Sequence, residues 1–393
     1  MSGTVAITAL LAAGLASGTA ARADTPQDVP VACNAAALAA AVGSAGEGDT
    51  LTLAAMCTYR LTAGLPAIYD DLSIVGHGAT LERSTAPDTP QFAIVSVDGG
   101  GLTVSDLNFR NGVPAIDFAG TDPLIVNGGL FSGNKGAGAI TDTSPGSGPQ
   151  VNGATFTGNT TTGSGGAISD YADAGGAVVT NSTFYGNAAA GDGGAILDEA
   201  QDGGSFSHDV IYDNTAGSGG GGMGANDPAI ENCQIFGNRA SEGGGLLTNG
   251  QYTATVTGTS IWGNSAEDGG GIYAELGGGF SLQLADDTIT GNHASADGGG
   301  IYNLATANEG GGLSLAHTGI SANDAGSLGG GIYNAGAVAA ANSTISFNIA
   351  RGGGGIYQAV DGDGNGVVLT SSAVLRNIPD NCAPPGTIMG CNG

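Results

Sequence analysis

Basic residues are scarce in this sequence: 8 Lys and Arg stand against 35 Asp and Glu, for a formal charge of −27. Such a surface repels nucleic acid and anionic membranes and leaves cations, neutral glycans and basic proteins as partners. A collagen-like Gly-X-Y period is missing although 76 of the 393 residues are glycine, and an apolar fraction of 41% is too high for a chain unable to bury surface. Glycine-rich phosphate loops, zinc-ligand spacings and nucleophile elbows are also absent, so calcium is the one cofactor indicated.

The apolar run Val5–Leu15 is too short to span a bilayer, and Ala21-Arg22-Ala23 supplies the small residues that a signal peptidase needs before Asp24. Residues 1–23 are therefore expected to be a signal peptide and the mature chain to be secreted or associated with the cell envelope, with no transmembrane segment. Met1-Ser2-Gly3-Thr4 carries no Lys or Arg, which leaves the true start open. Cys33 with Cys57, and Cys382 with Cys391, are close in sequence and lie near opposite ends of the mature chain, where clamps are needed. Cys233 is left over among small residues and reads as a buried free thiol.

From about Phe131 onward the text repeats. Asn134, Asn159, Asn187, Asn214, Asn238, Asn264, Asn292, Asn323, Asn348 and Asn377 recur over nine intervals spanning 243 residues, a mean period of 27, each with an apolar residue three positions earlier. A second element follows, as in Gly193-Gly-Ala-Ile196, Gly269-Gly-Gly-Ile272 and Gly298-Gly-Gly-Ile301, with its aliphatic eight or nine residues after the Asn. Periods of this size mark solenoids or propellers; triple glycine excludes a helix at that point, and the dense leucine pattern of a leucine-rich repeat is missing.

Three short strands and three turns per coil fit instead: an all-β right-handed parallel β-helix of about ten coils. Asn tolerates the left-handed conformation of a tight bend, and its amide can bond to the Asn of the coils above and below. The two constant apolar positions point inward and stack. Asn34 is placed to cap a short helix through Val42, which would plug the first coil. The expected organisation is a signal peptide at 1–23, cap and opening coils at 24–115, repeats at 116–377 and a disulfide cap at 378–393.

These paired motifs resemble the FxxN and GGA(I/L/V) repeats of the polymorphic outer-membrane proteins, over roughly Phe131 to Asn377. The resemblance implies a secreted β-helix of adhesin type. Family members retained on the outer membrane end in a β-barrel; Pro384-Pro385-Gly386 and Cys391-Asn392-Gly393 lack such strands, which implies release or non-covalent retention. The same solenoid also hosts lyases and hydrolases.

Asp70-Asp71 and Gly76-His77-Gly78 resemble elements of β-helical polygalacturonases, but their order differs and that family's Asn-Thr-Asp and Arg-Ile-Lys are missing, so His77 reads as a strand-end residue. Four residues before the inward aliphatic stand Asp192, Glu242, Asp268 and Asp297. Stacked carboxylates splay into water, share a proton or hold a cation, and Asp268 with Asp297 would be the catalytic pair of a hydrolase. Asp361, Asp363 and Asn365 supply oxygens at alternate positions with Gly366 at the sixth, as a calcium loop would, although Ser372 replaces the Glu of the twelfth.

Directly after the aliphatic of the Gly-Gly element, Tyr273, Tyr302, Tyr333 and Tyr357 turn outward onto one face, as a sugar-binding platform or a self-stacking column. Trp262 follows Ile261 outward on another face. The function expected is non-catalytic binding of a glycan or surface protein by a monomer, with a polysaccharide hydrolase or lyase as the alternative.

Overall fold

The computed structural model describes residues 25–250, 252–276, 281–305, 312–359 and 366–391. The expected signal peptide and the calcium-loop residues Asp361, Asp363 and Asn365 lie outside them. One coil shows how the sequence winds. In Thr253–Thr257, Ala254 and Val256 are buried and Thr253 and Thr257 are exposed, the period of two that a strand imposes. Ser260–Trp262 follows, then the two-residue strand Ser265–Ala266, then Ile272–Leu276. Each pairs in parallel with its counterpart one coil on: Ser281–Ala285, Thr288–Thr290, His293–Ala294 and Ile301–Ala305.

Repetition of this unit gives the expected right-handed parallel β-helix with three faces. The first and second faces form one 25-stranded sheet, because Leu72–Arg83 and Leu102–Arg110 run through both. The third face has twelve strands, from Val95–Val97 to Cys382–Ala383, so the solenoid has about twelve coils rather than ten. The two additional coils carry Val95–Val97 and Ile116–Phe118, which pair in register but precede the first Asn of the repeat series.

The interior is a set of columns. Phe109, Phe131, Phe156 and Phe184 stack with ring centroids 4.9, 4.6 and 4.8 Å apart, and Ile211, Ile235, Ile261, Ile289, Ile320 and Ile345 continue that column. Two polar columns hold the corners. At the first, every Asn from Asn134 to Asn348 gives its backbone N–H and its Nδ2 to Oδ1 of the next Asn, at 2.9–3.0 Å. Asn377 closes the series on Oδ1 of Asn381.

The glycines of the second element make room for this column. Gly269 has φ +64°, and a Cβ on Gly271 would lie 2.6 Å from the Gly300 carbonyl and 3.1 Å from Asn292 Nδ2. The second polar column stands at the corner between the first and second faces. Ser182, Asp209, Cys233 and Thr259 are buried there, and the backbone N–H of each meets a side-chain acceptor from the next coil: Asp209 Oδ1 at 2.7 Å, Cys233 Sγ at 3.5 Å, Thr259 Oγ1 at 3.1 Å and Asp287 Oδ1 at 2.7 Å.

The opening coil is covered by the helix Ala35–Ser44, two residues longer than expected; Asn34 Oδ1 accepts the Ala37 N–H at 2.7 Å, and Leu38 and Val42 are buried. Disulfides link Cys33 to Cys57 and Cys382 to Cys391. No helix among the described residues is long and apolar enough to cross a membrane.

Candidate functional site

The third face carries the tyrosines. Strand alternation sends Ile272, Ile301, Ile332 and Ile356 inward, and Tyr273, Tyr302, Tyr333 and Tyr357 outward in register. Their rings are nearly parallel, with centroids 4.9, 4.6 and 5.6 Å apart. Each inner ring is therefore covered on both faces by its neighbours; Tyr273, expected to be outward and open, is buried, and half-buried Tyr302, Tyr333 and Tyr357 present ring edges rather than a flat platform.

Beside it runs the acidic row. Asp192 Oδ1 accepts the Gly219 N–H at 2.6 Å, Asp268 Oδ1 that of Asp297 at 2.9 Å, and Asp297 Oδ1 that of Leu328 at 2.8 Å. These carboxylates brace the turn one coil on while staying partly open to water. Burial pushes the Glu242 carboxyl up, and Glu275, Asp268, Asp192 and Glu267 add to it. Asp268 is raised by burial and by Asp297 and Glu267, against the lowering effect of its backbone hydrogen bond.

The row and the tyrosines act on one another. Burial, then Glu242, Glu275 and Asp268, push the Tyr273 phenol up to about 12. Tyr302 is raised further by burial, its two ring neighbours, Asp268 and Asp297. Both phenols thus keep their protons and can donate, next to carboxylates that can accept.

Sequence reasoning reached one member of a second aromatic column, Trp262. On the second face Tyr185, Tyr212, Phe236 and Trp262 stack at 5.2, 5.0 and 4.3 Å, all half-buried. The signal is the residue that follows the apolar position of the Asn motif, as in Ile235-Phe236-Gly-Asn238. It also missed Asp142, Asp170 and Asp198, which lie in register inside the third face and are 0% exposed.

Asp70 is exposed, and Asp71 Oδ1 accepts the Gly101 N–H at 2.6 Å. His77 is exposed at φ 49° in the irregularity between Val75 and Ala79, and its carbonyl accepts the Met56 N–H at 3.0 Å. Cys233 is free and buried, and burial, followed by Asp209, pushes its thiol up to about 12. Among the described residues no group of three or more His, Cys, Asp or Glu could hold a metal ion. Four open surface hollows of 270–400 Å³ lie on the described residues, and neither Asp268 nor Asp297 lines them.

Comparison with known proteins agrees with the architecture. The family model described as a right handed beta helix region matches residues 147–316. No curated protein matches the chain. Among solved structures, the PL6 family alginate lyase AlyGC is similar at 13% identity and a TM-score of 0.41, covering 92% of this chain and 53% of its own. Bacteriophage CBA120 tailspike protein 3 is similar at 13% identity and a TM-score of 0.42, covering 89% of this chain and 59% of its own. The chain thus spans little more than half the length of either. Likenesses at this level say nothing of activity.

Proposed function

We propose that this is an exported, non-catalytic β-helix protein of adhesin type that binds a glycan along the third face. The observation that carries the reading is the column Tyr273–Tyr302–Tyr333–Tyr357 running beside Glu242, Asp268 and Asp297, a row of phenol donors next to a row of carboxylate acceptors. Because the rings cover one another, recognition falls to hydroxyls and ring edges and suits the many hydroxyls of a sugar polymer. The charge of −27 favours neutral or amino-bearing glycans over acidic ones. The FxxN and GGA(I/L/V) spacing supports kinship with polymorphic outer-membrane protein repeats, and Val5–Leu15 with Ala21-Arg22-Ala23 supports export.

A glycan array run beside an assay for released reducing sugar tests this. Tyr302→Phe, which keeps the stacked ring and removes the hydroxyl, should weaken glycan binding while no sugar is released. Sugar release by the parent chain that is lost in Asp297→Asn would replace the binding reading with a hydrolase.

A further inference from the structure

Asp142, Asp170 and Asp198 sit where a strand normally sends an aliphatic into the core. They occupy the inward position two residues after Ile140, Ile168 and Ile196 and pair directly, Asp142 with Asp170 and Asp170 with Asp198. In the same column Phe118 lies before them and Ala225 after, and farther on the line carries the buried neutral polar residues Thr248, Asn303, Asn334 and Gln358, so the acids fill three consecutive coils and are its only ionisable members among the described residues. All three are 0% exposed.

Each carboxyl is half satisfied. Oδ1 accepts a backbone N–H two residues on, from Ser144 at 2.8 Å, Ala172 at 3.0 Å and Ala200 at 3.1 Å. Oδ2 of all three is buried without a hydrogen-bond partner. Glycines face this oxygen across the coil: a Cβ on Gly148 would collide with Asp170 Oδ2, and one on Gly176 or Gly204 with Asp198 Oδ2. The turns are thus built around the carboxyls.

The charges acting on the column are its own: Asp198 and Asp142 act on Asp170, and among the described residues no cationic group bears on any of the three. The strands packed from the first face, Gln150–Asn152, Val178–Thr180 and Ser205–Ser207, send Val151, Val179 and Phe206 inward. Three stacked carboxylates in an apolar interior with no counter-ion are far costlier than three neutral acids.

We propose that Asp142, Asp170 and Asp198 form an internal acid ladder that holds its protons on Oδ2 in the folded chain, so that the ladder's hold on the solenoid weakens steadily as its surroundings pass from acidic to alkaline. Folding then takes protons up from water, because the unfolded chain releases them at the ordinary carboxylate pH. The direction agrees with burial raising Asp142, Asp170 to about 8 and Asp198 to about 7, with the neighbouring acids adding to Asp170, against the lowering effect of hydrogen bonds from Ser144, Ala172, Ala177 and Ala200. Between the unfolded and the folded values the native state holds the extra protons. Stability is therefore full below about pH 4 and declines up to about pH 8, the folding constant falling about tenfold per pH unit for each such proton.

Urea unfolding of the full chain from about pH 5 to about pH 8 tests the ladder. The midpoint should fall as pH rises, and Asp170→Asn, which keeps an Oδ1 acceptor and is neutral throughout, should fall less steeply and exceed the parent at the alkaline end. A midpoint that is level or rises, or a variant whose slope equals that of the parent, overturns the proposal. Should the variant not fold, infrared spectra of a chain with carbon-labelled aspartate and with Asp209→Asn and Asp287→Asn decide it at neutral pH. A protonated-carboxyl band that disappears on unfolding supports the ladder, and its absence from the folded chain refutes it.

Discussion

Asn238 gives both its backbone N–H and its side-chain Nδ2 to one oxygen, Oδ1 of Asn264, at 2.9 and 3.0 Å. That Nδ2 also reaches the Ile211 carbonyl at 3.0 Å, and its own Oδ1 receives both donors of Asn214. Asn238→Ala leaves a buried N–H, a buried amide and a buried carbonyl short of partners. A loss of about 3–5 kcal/mol is expected, as groups of this kind cost about 1–3 kcal/mol each. Chemical unfolding followed by circular dichroism measures it, and a loss below about 1 kcal/mol would mean that water replaces the amide.

Cys233 stands in the other polar corner as an acceptor rather than a reactive thiol. Its Sγ receives the Asp209 N–H, and burial lifts the thiol to about 12. A disulfide reagent should therefore leave the folded chain unmodified and label it only on denaturation. Cys233→Ser should fold with near-parental stability, and Cys233→Ala should lose about 1–2 kcal/mol through the orphaned N–H.

Asp287 tests the sign of a buried acid outside the proposed ladder. It is 2% exposed, accepts the Thr259 N–H through Oδ1, leaves Oδ2 without a partner, and is pushed up to about 7 by burial. The folded chain holds this proton above the pH at which the unfolded chain gives it up, so its contribution is full below about pH 4 and is lost by about pH 7. Asp287→Asn should change little in acid and stabilise the chain by about 1–3 kcal/mol near pH 8. Calorimetric melting at the two pH values checks this, and a variant destabilised equally at both would contradict it.

Tyr302 lies between two rings, so Tyr302→Ala removes two stacked pairs and should cost about 1–3 kcal/mol, whereas Tyr302→Phe should cost little. An alkaline absorbance titration should also show Tyr273 and Tyr302 of the folded chain ionising above the ordinary phenol range. Ionisation of these two within that range would contradict the packing described.

The repeat positions were legible because a single requirement returns once per coil. An Asn needs an Asn above it, so Asn214, Asn238 and Asn264 spell the corner in the sequence. The third-face tyrosines share one residue type at one offset and are legible for the same reason. The corner through Ser182, Asp209, Cys233 and Thr259 escapes sequence reading because its members have only a hydrogen-bond acceptor in common. Asp142, Asp170 and Asp198 escape it for the opposite reason: an inward strand position is expected to be apolar, and a carboxyl there reads as an outward residue until its burial is seen. Tyr185, Tyr212 and Phe236 stand at the same offset as Trp262, but with mixed residue types the column emerges only when the rings are found stacked.

Each coil meets only the two beside it, and Arg239 pairs with Ser265 at the equivalent point of the following coil. Excising residues 239–264 would therefore join Asn238 to Ser265 with every strand still facing a proper mate, and the shortened chain should keep the circular-dichroism signature of the parent. Length in this molecule is thus a heritable variable separate from shape: a lineage could shorten or extend its reach by whole windings, with no new fold to be found at any step.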